Sequence, residues 1–142
     1  MNLVEAKGGK KYQRDIAETV VYYMIDKLLP RFKTLDIEIV LKGKLDADAI
    51  GYCNAETNRR EFVLEISKNL SLKELVSTIC HEMIHVKQYV RKEMDVLVYD
   101  GKQRWKRSYT PDSTDYFDLP WEKEAYRLEK KYTNLIWEEG VL

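Results

Sequence analysis

The spacing of hydrophobic and polar positions changes along the chain, and these changes predict helices and strands in an α+β order. Apolar residues recur every three or four positions at about 14–29 and stop at Pro30, as in an amphipathic helix. They alternate with polar residues at 35–41, where a strand is predicted that ends at Gly43. Apolar segments near 49–54 and 62–66 flank a polar run and predict a hairpin. The first half therefore predicts a helix and then a small, mostly antiparallel sheet of three strands.

A long helix is predicted to open the second half of the chain. Ser71 and Glu74 stand in the S-x-x-E arrangement of a capping box, in which each residue hydrogen-bonds the backbone of the other. The apolar spacing that follows extends this helix to about Met94.

A hairpin, an irregular stretch and a last helix complete the predicted order. Asp100-Gly101 favours a tight turn between short strands at 95–99 and 103–107, and residues 108–119 are predicted to be irregular. Pro120 suits the first turn of a final helix, because a proline there gives up no helical hydrogen bond. The apolar face of this helix comprises Trp121, Ala125, Leu128, Tyr132 and Leu135.

Length and composition fit one globular domain spanning residues 1–142. The chain is 44% hydrophobic and 34% charged, with only 6 Gly and 3 Pro, which excludes a low-complexity or disordered scaffold. Cys53 and Cys80 are too few for a disulfide framework. The N-terminus lacks the apolar region of a secretion signal, and no segment is long and apolar enough to span a bilayer. We therefore expect a cytoplasmic monomer that does not bind membranes.

The candidate chemistry lies in the predicted long helix. The chain has 2 histidines, and both stand in His81-Glu82-Met83-Ile84-His85, the H-E-x-x-H pattern of zinc metallopeptidases. Residues four apart lie one helical turn above each other, so both imidazoles can reach one ion while Glu82 lies beside it. The plain alternative is a pair of surface histidines. Helix phase places both of them nearly opposite the apolar stripe, and the same phase places Cys80 in the core.

A catalytic zinc ion needs a third protein ligand, and the sequence leaves only an acid for that position. A third histidine in the extended motif is excluded, because Gln88 and Arg91 occupy the positions where that motif has Gly and His. The final helix begins with Glu122 and Glu124, which lie about 200° apart around its axis, so only one of them can face the metal. Both remain candidates from geometry alone.

These motifs together resemble those of small gluzincin-type zincin metallopeptidases, in particular compact phage and bacterial ones with H-E-M-x-H followed by P-W-E-x-E-A. The resemblance covers about residues 35–132 and implies a zincin-like fold and one Zn²⁺ per chain. It implies His81, His85 and Glu122 as ligands, because Glu122 to Ala125 fits the E-x-x-A frame of related proteins; Glu124 is the alternative. The acid that many such families carry four positions after the ligand is replaced by Tyr126.

The resemblance also implies a mechanism, in which a metal-activated water attacks a peptide bond and Glu82 acts as the general base. The expected substrate is an extended polypeptide paired with the sheet edge above the cleft. If the chain is encoded by a phage, it would act in the host cytoplasm. Tyr109 and Tyr116 are candidate donors to the oxyanion, although the favoured interpretation of each is a residue that only covers the core.

Two alternative functions stay open. One is a zincin-like binding or regulatory protein that is catalytically idle, although Glu82 has no use in a purely structural site. The other is a protease acting on nucleic-acid-associated proteins through the basic run at 102–107, where Trp105 could stack on a base. A net charge of zero, from 24 Lys+Arg and 24 Asp+Glu, provides no general attraction for nucleic acid. The acidic segment at 112–118 could instead pair with that run or lie near the metal.

Overall fold

Three helices and two small sheets form the described part of the computed structural model, which comprises residues 1–45, 49–55, 60–95, 104–106, 108–109 and 115–142. The helices are α1 (Lys11–Leu28), α2 (Leu72–Val90) and α3 (Pro120–Glu138). The first sheet contains β1 (Leu3–Gly8), β2 (Asp36–Lys42), β3 (Gly51–Ala55) and β4 (Glu61–Ser67). The second contains β5 (Met94–Asp95), β6 (Arg104–Trp105) and β7 (Ser108–Tyr109). The predicted α+β class is confirmed.

The first sheet is mixed and has four strands in the order β1-β2-β4-β3, so the predicted three-stranded, mostly antiparallel sheet is wrong. β1 pairs with β2, and β2 with β4, in parallel; β3 alone runs antiparallel, along the outer side of β4. The predicted hairpin of β3 and β4 is confirmed. β3 runs in the opposite direction to β2 and β4, and β4 lies between β2 and β3 in the sheet, so β2 and β4 pair in parallel. Apolar alternation does not indicate which strands become neighbours.

β1 is missed by the sequence pattern because an edge strand needs little apolar surface. Ala6 is its one buried residue, and the alternation of Val4 and Ala6 with Glu5 and Lys7 is short and carries only one large apolar side chain. Gly8 and Gly9 follow with φ of 80° and 58°, values that favour glycine, and turn the chain into α1. α1 is then the crossover that parallel strands require, and it begins at Lys11, a few residues before the predicted start.

The core lies between one face of the first sheet and the helices α1 and α2. Its buried strand residues are Ile37, Ile39, Leu41, Phe62, Leu64 and Ile66, which share that face by alternation. α1 contributes Ala17, Val20, Val21 and Met24, and α3 adds Ala125 and Ile136. α2 contacts β3, β4, α1 and α3, so it is the central element of the domain.

α2 ends at Val90, one turn before the predicted end near Met94, which belongs to β5. Lys92 has a φ of 59°, so the chain leaves the helix in a left-handed conformation. The amide of Glu93 donates to the carbonyl of Gln88, which satisfies a terminal carbonyl of the helix. Apolar spacing continues across this turn, and the pattern alone therefore extends the helix too far.

β5 and β6 pair as predicted, whereas the turn at Asp100-Gly101 lies outside the described residues. The stretch predicted to be irregular contains β7, which pairs with β6, and a 3-10 turn at Tyr116–Asp118. The last helix is confirmed, with Pro120 in its first turn. Among the described helices, none has the length and apolarity that crossing a membrane requires.

Candidate metal centre

A capping box begins the helix that carries the histidines. The Ser71 hydroxyl accepts a hydrogen bond from the Glu74 amide at 3.3 Å, and the Glu74 carboxylate accepts one from the Ser71 amide at 3.2 Å. The predicted capping box is therefore confirmed. The Ser71 hydroxyl also donates to the Glu74 carboxylate at 2.8 Å, and this bond, together with the one from the Ser71 amide, lowers the pKa of Glu74.

His81 and His85 lie on a buried face of α2, so the alternative of two surface histidines is wrong. Their exposed fractions are 6% and 7%. Helix phase correctly places them away from the stripe that packs on the sheet, but α3 covers their side of the helix. The rings approach edge to face with centroids 5.0 Å apart, and the arrangement directs both toward α3.

Glu122 of α3 meets both histidines. Its Oε1 lies 3.0 Å from Nε2 of His81 and 3.3 Å from Nε2 of His85, and its exposed fraction is 7%. Ligand atoms of a tetrahedral zinc ion at 2.0–2.1 Å lie about 3.3 Å from one another. One ligand atom from each of the three residues lies within 4.8 Å of the others. Donor types and spacing therefore fit zinc.

Glu124, the alternative ligand, faces a different part of α2. Its carboxylate accepts hydrogen bonds from Lys87 at 2.8 Å and from Gln88 at 3.1 Å. Partial burial raises the pKa of Glu124, but the hydrogen bonds from Lys87 and Gln88 outweigh it and hold the pKa below its usual value. Of the two acids at the start of α3, Glu122 is thus the one that joins the histidines.

The other ring nitrogen of each histidine is also held. Nδ1 of His81 lies 2.9 Å from Oε1 of Glu129, and Nδ1 of His85 lies 2.7 Å from Oε1 of Gln88. Donation from Nδ1 to these oxygens leaves each Nε2 facing Glu122, where it would serve as a metal ligand once its own proton is lost, an assignment made from the partners. Such contacts fix the orientation of each ring, so both imidazoles already point toward Glu122.

Glu129 is the functional residue that sequence reasoning misses. The resemblance directs attention to the fourth position after Glu122, where Tyr126 stands, and leaves the histidine without an acidic partner. Glu129 lies seven positions after Glu122 and therefore two turns along the same face of α3. That spacing was visible in the sequence, but many surface helices repeat acids in this way.

Glu122 and the two histidines shift one another's pKa values in opposite directions. Burial raises the pKa of Glu122, but hydrogen bonds to His81 and His85 outweigh burial and lower it to about 2. Burial lowers the pKa of His81, and the hydrogen bonds to Glu122 and Glu129 more than compensate and raise it to about 9. The cluster therefore stabilises positive charge at its centre, the property that a cation site requires.

Glu82 lies between the histidines and the edge strand β3, with an exposed fraction of 6%. A Cβ placed on Gly51 would lie 3.1 Å from its Oε2, so the backbone of β3 passes directly beside the carboxylate. Burial raises the pKa of Glu82 despite the opposing charges of His85 and His81. A buried carboxylate with a raised pKa is a stronger proton acceptor than a solvated one.

A cavity of about 680 Å³ opens onto this centre. It is bounded by α2, α3, the β3 edge and the 3-10 turn, and its lining includes His81, Glu82, His85, Glu122, Gly51 and Cys53. Burial raises the pKa of Cys53. Burial likewise raises the pKa of Cys80 to about 12, and this thiol is fully buried in the core, as predicted.

Tyr116 reaches the centre, whereas the side chain of Tyr109 lies outside the described residues. The Tyr116 hydroxyl donates to Oε1 of Glu122 at 3.1 Å. Its ring lies against Tyr126, whose own ring meets His81 edge-on at a centroid distance of 4.6 Å. Of the two predicted oxyanion donors, Tyr116 is therefore placed at the cluster.

The nucleic-acid platform predicted at 102–107 is only partly covered by the described residues. Trp105 lies 6.5 Å from Trp121 between ring centroids, and the ammonium of Lys106 lies 5.1 Å from its ring. Lys102, Arg107 and Asp112 lie outside the described residues. Nucleic-acid contact by this segment stays a prediction.

No protein-family model matches the chain, and no curated protein or solved structure matches it either. The resemblance to zincin metallopeptidases therefore rests on the motifs and stays a prediction.

Proposed function

We propose that this domain is a zinc-dependent metallopeptidase that hydrolyses peptide bonds in extended polypeptides, with Glu82 as the general base. The observation that carries the proposal is the convergence of two histidines and one carboxylate, with an additional buried carboxylate beside them, at the base of an open cavity. A purely structural metal site is normally closed by a fourth protein ligand and has no need of Glu82.

His81, His85 and Glu122 would hold the ion. Bound zinc would supply positive charge that acidifies a water molecule and polarises a scissile carbonyl. Glu82 is adjacent in sequence to a ligand and faces the cavity, so its carboxylate accepts a proton from the attacking water and later delivers it to the leaving amine. Glu129 and Gln88 keep the histidine rings oriented meanwhile.

The edge of β3 supports an extended polypeptide as substrate. The amide of Ser67 in β4 donates to the carbonyl of Ile50, so the backbone groups of residue 50 face β4. Backbone groups alternate in direction along a strand, which turns those of Gly51 and Cys53 away from β4 and toward the cavity. A substrate strand can pair with them and bring its carbonyl beside Glu82.

Tyr116 is suited to donate a hydrogen bond to the developing oxyanion. Its hydroxyl is a donor that already lies within hydrogen-bond distance of the ligand carboxylate.

Metal analysis and turnover of matched variants test the proposal. The purified protein should hold about one zinc per chain and should cleave a mixture of denatured proteins until a chelator is added. His81→Ala should lose the zinc. Glu82→Gln should keep it and lower turnover about a thousandfold, because only the proton acceptor is removed.

Glu138→Gln, which changes an exposed acid at the end of α3, is the control and should behave like the parent protein. Undiminished cleavage by Glu82→Gln, or no cleavage by the zinc-loaded parent, would contradict the proposal.

A further inference from the structure

Three aromatic side chains form an exposed surface at the mouth of the cavity. Tyr116, Phe117 and Tyr126, here called the aromatic rim, are 50%, 70% and 38% exposed. Their rings contact one another, with centroid distances of 5.1 Å, 5.7 Å and 6.5 Å. Phe117 does not belong to the buried core, so the core does not account for its position. A contiguous apolar surface of this kind commonly marks a binding site.

The aromatic rim is continuous with the candidate metal centre. The Tyr116 hydroxyl bonds Glu122, and the ring of Tyr126 packs on His81. The backbone of the 3-10 turn is closed by a hydrogen bond from the Asp118 amide to the carbonyl of Asp115, and Leu119 leads directly into α3. These contacts fix the rim relative to Glu82, so a group bound on the rim has a defined position relative to the reacting atoms.

The opposite side of the cleft adds another apolar group. Ile50, at the start of β3, is 50% exposed and lines the cavity together with Tyr116 and Tyr126. A smaller cavity of about 150 Å³ is lined by the same three residues. A side chain that projects from a strand paired with β3 can therefore lie between Ile50 and the aromatic rim.

The charges in the cavity restrict which side chains are accepted. Among the described residues that line it, none is a lysine or arginine, and its carboxylates are those of Glu82 and Glu122. Apart from the zinc ion that the proposed function places at its ligands, the described lining offers no cation to pair with an acidic substrate side chain. A large apolar side chain of the substrate would be shielded from water by Ile50 on one side and by the aromatic rim on the other.

We infer that the aromatic rim is a subsite for one bulky apolar side chain of the polypeptide, next to the bond that is cleaved. This inference rests on the proposed peptidase function. Phe117 is its specificity-determining residue, because it contacts the other two rings and neither the metal ligands nor Glu82 in any described interaction. Its loss should therefore weaken substrate binding and leave the chemical step intact.

Three peptides test the inference. They share one sequence and carry Phe, Ala or Glu next to the scissile bond. The zinc-loaded parent should cleave the Phe peptide with a kcat/KM at least about tenfold above that for Ala, and the Glu peptide should be poorest. Phe117→Ala should remove the preference for Phe over Ala by raising KM with little change in kcat, whereas Phe117→Leu should retain most of it. Tyr22→Ala, which removes an exposed aromatic ring from α1, should match the parent.

Peptide binding separates failure of this inference from failure of the proposed function. Zinc-loaded Glu82→Gln protein is titrated with the fluorescein-labelled Phe and Ala peptides, with and without Phe117→Ala. Tighter binding of the Phe peptide that depends on Phe117 supports the subsite even if the parent cleaves nothing.

Equal affinities for the two peptides, or a KM unchanged by Phe117→Ala in an active enzyme, overturn the inference. It is also overturned if sedimentation shows that Phe117→Ala only dissociates a dimer, because the rim would then join two copies of the chain.

Discussion

The two edges of the four-stranded sheet differ in how their backbone groups are satisfied. At β1, the amide of Ala6 faces outward and donates to the Glu18 carboxylate at 2.9 Å. The Arg14 guanidinium donates to the carbonyls of Gly8 and Gly9 at 3.0 Å and 2.8 Å. At β3, the groups of Gly51 and Cys53 face the cavity beside Glu82. Within the described residues, no strand lies beyond β3.

The difference shows how one edge of a sheet can be protected against pairing with other chains while the other edge stays accessible to a polypeptide. Exposed strand edges promote aggregation, and proteins normally cover them. Two side chains of α1 cover the β1 edge, whereas the β3 edge borders the candidate metal centre. We therefore expect changes at β3 to alter catalysis, and changes at β1 to alter stability alone.

Among the changes that separate the two edges, the largest effect is expected from Gly51→Ala. The added Cβ would lie 2.8 Å from Cγ2 of Thr78 and 3.1 Å from Oε2 of Glu82, so the strand or the carboxylate must move. A displacement of about 1 Å can cost about a hundredfold in rate. We expect kcat to fall by about that factor while zinc content, measured by metal analysis, stays at the parent level.

Gly43→Ala is the matched control for Gly51→Ala. The nearest atom to its added Cβ is the flexible Cε of Lys68 at 3.4 Å, an ordinary contact. An equal loss of kcat in both variants would contradict a special role for the β3 edge.

A smaller effect is expected from Glu129→Gln, which replaces the α3 carboxylate that contacts Nδ1 of His81. Loss of such a partner typically lowers metal affinity by about 10–100-fold. Competition with a chelating dye should show weaker zinc binding in that range, with Glu138→Gln unchanged. Parent-like affinity would mean that Glu129 does not orient the ring.

The smallest effect is expected at the closed edge. Glu18→Ala removes the acceptor for the Ala6 amide and should lower the free energy of unfolding by about 1 kcal/mol, measured by urea denaturation. Activity should be unchanged. Asp15→Ala, which breaks an exposed pair with Lys11 on the same helix, should cost only about 0.3 kcal/mol. A loss of turnover in Glu18→Ala would remove the functional distinction between the edges.

Local signals made α2 and the start of α3 predictable from sequence. The Ser71 cap and Pro120 act within one turn, and the spacing of His81 and His85 is a property of any helix. The choice between Glu122 and Glu124 needed the family resemblance, because it depends on how α3 is rotated against α2. Packing determines that rotation.

The missed features depend on contacts between distant segments. β1 shows only a short alternation with little apolar surface, and its place in the sheet follows from pairing with β2. Glu129 gains its role only because α3 lies along α2, 48 positions from its partner His81. The end of α2 follows from the left-handed turn at Lys92, which apolar spacing cannot reveal.

Gln88 and Lys87 join α2 to α3 without the help of an ion. The Gln88 amide donates to the carbonyl of Trp121, and the Lys87 ammonium pairs with Glu124 at 2.8 Å. The two helices are thus joined next to the candidate ligands by contacts that involve no metal ion. Under the proposed function we therefore expect the fold to persist without zinc, unlike that of a zinc finger. Under the proposed function, a zinc-starved cell would contain this protein in a folded but inactive form. Activity would return when zinc binds.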